Sequence, residues 1–131
     1  MPVKYIKEVL RLNLPKDEYA LFGSACLAVR GLRENKDIDV LVKDELWKKL
    51  LRKYKANEKG AIKIRNVEIA YGSSNPWRDA PVDEMIDDAD IFRGIRYVKL
   101  EYILAWKKKR KNAKDIKDIR LIENYLRRNK K

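Results

Sequence analysis

The chain has 131 residues, of which 32 are basic and 20 acidic, giving a net charge of +12, and it contains no histidine. The absence of histidine excludes Ser-His and Cys-His hydrolases and argues against a zinc site. No hydrophobic run of about 18 residues and no signal-like start is present, so we expect one soluble cytoplasmic domain over 1–131 that makes no membrane contact. Abundant lysine and glutamate, with no glutamine or threonine, are typical of proteins from hyperthermophiles.

The first half of the chain alternates between helical and strand-like patterns. An amphipathic helix is predicted over 3–12, with an apolar face formed by Ile6, Val9 and Leu10. The elements predicted after it are a strand over 19–22, a helix over 25–29, a strand over 37–42 and a helix over 44–54. In the last of these, Asp44 is a candidate N-cap and the apolar face holds three leucines, Leu46, Leu50 and Leu51.

The second half begins with a predicted β-hairpin and ends with two helices. The predicted elements are strands over 62–64 and 67–69 with a turn at 65–66, a loop over 72–76, a short acidic helix over 82–89, an extended segment over 91–98 broken at Gly94, and helices over 100–109 and 114–128. This order predicts an α/β or α+β fold, in which a small mixed sheet with its core at about 17–72 is flanked by helices and followed by a C-terminal helical pair within 99–131.

Two aspartates on the predicted strand over 37–42 are the first candidate site residues. Side chains two positions apart in a strand point to the same face, so Asp37 and Asp39 should project together while Ile38 and Val40 face the other side. Two neighbouring carboxylates repel each other unless a cation lies between them, and oxygen ligands of this kind suit Mg²⁺. Glu68 alternates with Val67 and Ile69 on a later strand and is the candidate third carboxylate, with a solvent-facing strand residue as the alternative.

A Gly-Ser pair precedes these aspartates at a predicted strand-to-helix turn. Gly23 permits a tight turn, and the N–H groups at the start of the following helix attract phosphate. Ser24 could equally serve as the helix N-cap, which uses the same helix end. Cys26 lies in this helix and is expected to be a buried, inert thiol. A second Asp-x-Asp, at 88–90, lacks a preceding Gly-Ser and is expected to be surface charge.

The Leu-Phe-Gly-Ser of 21–24 is followed by a stretch over 30–42 that ends in Asp-Ile-Asp-Val-Leu-Val. Together the two stretches resemble the signature of the polymerase-beta-type nucleotidyltransferase superfamily. The Arg-Gly-Leu-Arg of 30–33 resembles the run that precedes the aspartate pair in small prokaryotic members related to the type IV abortive-infection toxins. Lys107 followed by the Lys-Asp-Ile-Lys-Asp-Ile of 114–119 resembles the Lys and Lys-Asp-x-x-Asp pattern of their C-terminal helices.

The resemblance implies a nucleotidyltransferase-type sheet and a metal-dependent transfer of a nucleoside monophosphate from a nucleoside triphosphate to an acceptor hydroxyl, with release of pyrophosphate. Asp37 and Asp39 would hold Mg²⁺ or Mn²⁺, and Glu68 would complete the metal site, although the family more often has Asp there. The residues expected at the nucleotide and its phosphates are Gly23, Ser24, Arg30, Arg33, Lys36, Lys107 and Lys114. For Lys107 and Lys114, ion pairs with Asp115 and Asp118 are the alternative.

Basic charge is concentrated at the end of the chain. Residues 99–131 include 13 basic and 4 acidic side chains, a net +9, whereas 79–90 holds 6 acidic and no basic ones. The basic segment is either a footprint for RNA such as tRNA or the solvated surface of thermophile helices. The acceptor could therefore be RNA, which the charge favours, or a protein or small molecule. A non-catalytic binding module with a cognate toxin or antitoxin partner is the alternative function.

Overall fold

The structure is a computed structural model that describes residues 3–71 and 81–129. Within them the chain forms a six-stranded mixed sheet with helices packed against it. The strands are β1 (Tyr19–Phe22), β2 (Ile38–Val42), β3 (Ala61–Ile64), β4 (Val67–Ala70), β5 (Asp90–Phe92) and β6 (Ile95–Tyr97). The helices are α1 (Ile6–Arg11), α2 (Ser24–Val29), α3 (Asp44–Lys53), α4 (Val82–Asp87), α5 (Leu100–Arg110) and α6 (Ile116–Arg128), with a 3₁₀ turn over Ala113–Asp115.

The sheet has the strand order β3-β4-β2-β1-β6-β5. At its centre, β2 runs antiparallel to β1 and parallel to β4, while β1 runs parallel to β6. Two antiparallel hairpins, β3/β4 and β5/β6, form the outer parts of the sheet. The predicted α+β class, the mixed sheet and the C-terminal helical pair are therefore confirmed.

The central strands are covered on both faces, which explains their continuous apolar runs. All four residues of β1 are buried, as are four of the five residues of β2. Asp39 is the one β2 residue that keeps partial exposure. The thiol of Cys26, below this sheet in α2, donates to the carbonyl of Leu21 at 3.2 Å, and burial raises its pKa to about 12. A thiol in that state is inert, as expected.

Three local predictions were wrong. The first helix spans only Ile6–Arg11, and Leu10 is 42% exposed because a six-residue helix turns too few side chains toward the sheet. Leu51 is 44% exposed, so the buried face of α3 is narrower than its leucines indicated. Asp44 does not cap α3: Lys43 occupies the N-cap position without a side-chain hydrogen bond, and Asp44 is the first helical residue.

The remaining elements follow the predictions closely. The β3/β4 turn lies at 65–66, where Arg65 adopts a φ of 53°, and the segment over 91–98 is a hairpin that turns at Arg93 and Gly94. The predicted loop over 72–76 lies outside the described residues. Among the helices that are described, none has the length and apolar content needed to cross a membrane.

Candidate functional site

The strand register places Asp39 between β1 and β4. Asp39 pairs with Phe22 on one side and with Glu68 on the other. Residues paired across neighbouring strands point to the same face, so the carboxyl groups of Asp39 and Glu68 lie side by side. Their sequence neighbours Ile38 and Val67 are fully buried on the opposite face. The predicted alternation of both strands is thus observed.

Negative charge at this position is poorly compensated. The pKa of Asp39 is raised to about 7, mainly by burial and also by repulsion from Asp37. Glu68 raises it further, both by repulsion and by a hydrogen bond with Asp39. The positive charge of Lys63 offsets these effects only in part. A carboxylic acid with such a pKa is about half protonated at neutral pH. The structure therefore places Asp39 beside Glu68 and near enough to Asp37 for their charges to repel each other. We name Asp37, Asp39 and Glu68 the acidic cluster.

Gly23 lies directly against the acidic cluster. Its φ of +67° is a backbone conformation that side chains with a Cβ rarely adopt. A Cβ added there would sit 2.8 Å from Oδ2 of Asp39, closer than packed atoms approach. Gly23 is also the N-cap of α2, and Ser24 is the first residue of that helix rather than its cap. The glycine is therefore required twice, by its backbone angle and by the carboxylate beside it.

Lys63 is a site residue that the sequence reading missed. It pairs with Glu68 across the β3/β4 hairpin, is exposed, and lowers the pKa of Asp39. The signal was available, because a turn at 65–66 places residues 63 and 68 opposite each other. Lys36, one position before Asp37, is exposed as well.

Arg30 has partners within the protein. Its buried guanidinium donates to the carbonyl of Cys26 at 2.8 Å and to Oδ2 of Asp90 at 2.7 Å, and it lies over the ring of Phe92. The second Asp-x-Asp therefore contributes an ion pair through Asp90, while Asp88 remains exposed and accepts from the hydroxyl of Tyr102.

Arg33 and Lys107 belong to a group of charges between the helices. Arg33 forms a bidentate pair with Asp118, at 2.6 and 2.9 Å. The buried ammonium of Lys107 contacts Oδ1 of Asp115 at 2.9 Å and Oδ2 of Asp118 at 3.2 Å. Arg110 also binds Asp115. We name these five residues, Arg33, Lys107, Arg110, Asp115 and Asp118, the ion cluster.

The electrostatics of the ion cluster are opposite to those of the acidic cluster. Burial alone would raise the pKa values of Asp115 and Asp118. Asp115 accepts hydrogen bonds from Arg110 and Lys107, and Asp118 accepts them from Arg33 and Lys107. These bonds outweigh burial and hold the pKa values of both aspartates below their usual range. Lys107 is therefore placed by ion pairs, as the alternative expected, whereas Lys114 is exposed in the middle of the 3₁₀ turn.

The C-terminal helices pack beside the acidic cluster. Phe22, the cross-strand neighbour of Asp39, has its ring centroid 4.9 Å from that of Trp106 in α5. Trp106 in turn stacks with the guanidinium of Arg110, 4.1 Å from its ring centroid. A continuous set of contacts therefore runs from the acidic cluster through α5 to the ion cluster.

The donor chemistry of the acidic cluster suits a hard divalent cation, since all three side chains offer carboxylate oxygens and lack nearby compensating charge. Among the described residues, however, no three acidic or thiol side chains are arranged so that one ion could contact them all. The hydrogen bond between Asp39 and Glu68 occupies oxygens that such an ion would use.

Comparison of the chain with protein-family models, with curated proteins and with solved structures finds no match. The resemblance to the nucleotidyltransferase superfamily therefore rests on the residues quoted for it above.

Proposed function

We propose that the protein is a metal-dependent nucleotidyltransferase. The observation that carries the proposal is the pairing of Asp39 with Glu68, against a glycine that leaves no room for a side chain, and the raised pKa of Asp39 is consistent with it. A fold has no structural need for three neighbouring carboxyl groups that destabilise one another, and perturbed carboxyl groups of this kind concentrate at functional sites.

In this proposal Asp37, Asp39 and Glu68 would hold Mg²⁺ or Mn²⁺ after their side chains rearrange, since in the described residues no single ion could contact all three as they stand. When bound, the metal neutralises the carboxylates and the triphosphate and makes the acceptor hydroxyl easier to deprotonate. The oxygen of the acceptor forms a bond to the α-phosphorus of the nucleoside triphosphate, the bond to pyrophosphate breaks, and the hydroxyl proton is released.

The chain's own residues would orient the triphosphate. Gly23 is buried against Asp39, and Ser24, beside it at the start of α2, is half-buried. Lys36 and Lys63 are exposed cations adjacent to the acidic cluster in sequence and in the sheet, and can offset phosphate charge. Arg30, Arg33 and Lys107 would act one step away, because their charged groups already contact protein atoms.

An acceptor hydroxyl on RNA is favoured by the net charge of +12. The cytoplasm, which supplies both nucleoside triphosphates and Mg²⁺, is the compartment that such a reaction requires.

A binding module that keeps this fold, such as one half of a toxin-antitoxin pair, is the second candidate. The hydrogen bond between Asp39 and Glu68 favours it, since a closed pair of carboxyl groups can persist without metal.

The decisive test measures thermal stabilisation by Mg²⁺ and ATP, because a ligand that binds only the folded state raises its stability by mass action. We expect a clear rise in Tm for the wild type and none for Asp37→Ala combined with Asp39→Ala. The matched control is Glu58→Ala with Glu101→Ala, which removes the same charge from two exposed positions. An equal rise in the double aspartate variant would refute the site.

The second measurement separates the enzyme from the binding module. The protein is incubated with each labelled nucleoside triphosphate, Mg²⁺ or Mn²⁺, total RNA and cell lysate. Label transferred to RNA or protein by the wild type, and lost in the double aspartate variant, supports the transferase. Stabilisation by ATP without any transfer supports the binding module.

A further inference from the structure

The basic residues at the end of the chain fall into two groups that the sequence does not distinguish. One group is internally paired: Lys107 and Arg110 belong to the ion cluster, and Lys108 contacts Glu123 at 2.9 Å. The other group lies along α6 and is exposed. At about 100° of rotation per residue, one arc of this helix holds five exposed residues, Lys117, Arg120, Asn124, Arg127 and Arg128. We name this arc the outer face of α6.

The positive charge of the outer face is not neutralised by α6 itself. The helix has two acidic residues, and both are engaged elsewhere: Asp118 in the ion cluster and Glu123 with Lys108. In the described part of the chain, none of the four basic residues of the outer face has an ion-pair partner.

In α3, by contrast, one of the exposed basic residues is paired within the helix, although Lys49 and Arg52 of the same helix have no ion pair among the described residues. There, Lys48 contacts Asp44 at 3.2 Å and Glu45 at 3.8 Å, which is the intrahelical pairing expected of a thermophile surface. The outer face of α6 has positive charge without such compensation.

The position of α6 links this charge to the acidic cluster. Asp118 joins the helix to Arg33, and the four residue steps from Arg33 to Asp37 span at most about 14 Å. Through Trp106, α5 contacts the cross-strand neighbour of Asp39. These contacts attach α5 and α6 to the segments that carry the acidic cluster.

We propose that the outer face of α6 binds the phosphate backbone of single-stranded RNA and delivers its end to the acidic cluster. The choice of RNA rests on the proposed function, because an acceptor hydroxyl is needed and a ribonucleotide chain presents two at its 3′ end. The four basic side chains span about 16 Å of helix, which suits a backbone rather than a single phosphate group.

The test is a salt titration of RNA binding to the whole chain. Each phosphate contact releases counterion and contributes about 0.7 to the log-log slope for a single strand. Four contacts predict a slope near 3, and an affinity for a short oligouridylate that falls about fifty-fold between about 50 and 200 mM salt. We expect the affinity to fall at least about fifty-fold, and the slope by about 3, when four residues are changed to Glu. These residues are Lys117, Arg120, Arg127 and Arg128.

The matched control reverses four exposed basic residues elsewhere, Lys49, Arg52, Lys55 and Lys59, and makes the same change in net charge. We expect it to retain the slope and most of the affinity. Substitution of the four α6 residues by Ala provides a milder second variant, which should lose the same slope if the Glu variant does not fold.

Three outcomes would overturn the proposal. Equal losses in the α6 variant and the control would show attraction to net charge alone, and a wild-type slope below about 1 would exclude a backbone contact surface. Equally efficient transfer of labelled nucleotide to a deoxyribonucleotide of the same length would overturn the assignment to RNA. Stabilisation by Mg²⁺ and ATP, measured on the same variants, should be unchanged. Absence of that stabilisation in the wild type would refute the proposed function, whereas a wild type that is stabilised by Mg²⁺ and ATP but does not bind RNA would refute only the role of α6.

Discussion

The protein contains two groups of neighbouring carboxyl groups with opposite electrostatic surroundings. In the ion cluster, two aspartates meet one lysine and two arginines, and their pKa values are lowered. In the acidic cluster, Asp39 lies beside Glu68 and is repelled by Asp37, the exposed Lys63 offsets this only in part, and the pKa of Asp39 is raised to about 7. The negative charge of the first group is neutralised by basic side chains of the protein itself. The second lacks positive charge, which a ligand can supply.

The comparison predicts opposite effects when a carboxylate is removed from each cluster. Asp115→Ala leaves the buried ammonium of Lys107 with one partner fewer and should destabilise the protein by about 3 kcal/mol. Asp39→Ala should leave the metal-free protein equally stable or more stable, because it relieves repulsion. Urea unfolding measures both.

Asp87→Ala provides the reference for an ordinary ion pair, since Asp87 is exposed and contacts Lys43 at the surface. A loss for Asp115→Ala no greater than that of Asp87→Ala would contradict the structural role of the ion cluster.

The pH dependence of stability should also separate the two clusters. The pKa of Asp39 is about 7 in the folded protein and near 4 in the unfolded chain. Between these values the folded form binds more protons, so wild-type stability should fall as pH rises, by at most about 1.4 kcal/mol per pH unit, and level off above about pH 7. Asp39→Asn abolishes this titration, so the variant should gain on the wild type across that range.

Asp118→Asn serves as the control with the opposite sign. Because the pKa of Asp118 is lowered, its contribution is fully present above about pH 4 and is lost as pH falls through the folded value. The difference between this variant and the wild type should therefore be constant from about pH 5 to 7. A constant difference for Asp39→Asn as well would contradict the raised pKa.

Substitution of two glycines with positive φ, one against Asp39 and one in open space, tests how tightly the carboxylate of Asp39 is held. Gly31, with φ +75°, has no atom within 4 Å of an added Cβ, so Gly31→Ala should cost only backbone strain of about 1 kcal/mol. Gly23→Ala carries similar strain and also forces Asp39 to move, which should add about 1–3 kcal/mol. When Gly23→Ala is combined with Asp39→Ala, the additional cost of about 1–3 kcal/mol for moving Asp39 should be recovered, as measured by a double-mutant cycle. Equal costs at both glycines would show that Asp39 moves freely.

The sequence was sufficient for the elements that local pattern determines. Alternation of apolar residues predicted β2 and β4, and the same alternation placed Asp39 and Glu68 on one side of their strands, whereas Asp37 directly precedes β2. The conformational needs of Gly23 were also predictable, because a strand-to-helix turn of this kind requires a residue without a Cβ.

The pairings that join distant segments could not be predicted from one sequence. Nothing local indicates that β4 pairs with β2, although that pairing puts Glu68 beside Asp39. Arg33 and Asp118 are 85 positions apart, and Arg30 and Asp90 are 60 apart. Charge patterns alone could not distinguish arginines that pair inside the protein from those that face solvent.

The smallest predicted effect concerns the geometry of one such distant pair. Arg33→Lys keeps the positive charge beside Asp118 but replaces two parallel hydrogen bonds, at 2.6 and 2.9 Å, by a single flexible ammonium contact. We expect a loss of about 1 kcal/mol in urea unfolding, because Asp118 also retains Lys107. Arg120→Lys, on the solvent face of α6, makes the same chemical change without a bidentate partner and should leave stability unaltered. If both substitutions have the same effect, the pair with Asp118 contributes charge alone, and the loop that leads to Asp37 is held to α6 by proximity of charge rather than by directed hydrogen bonds.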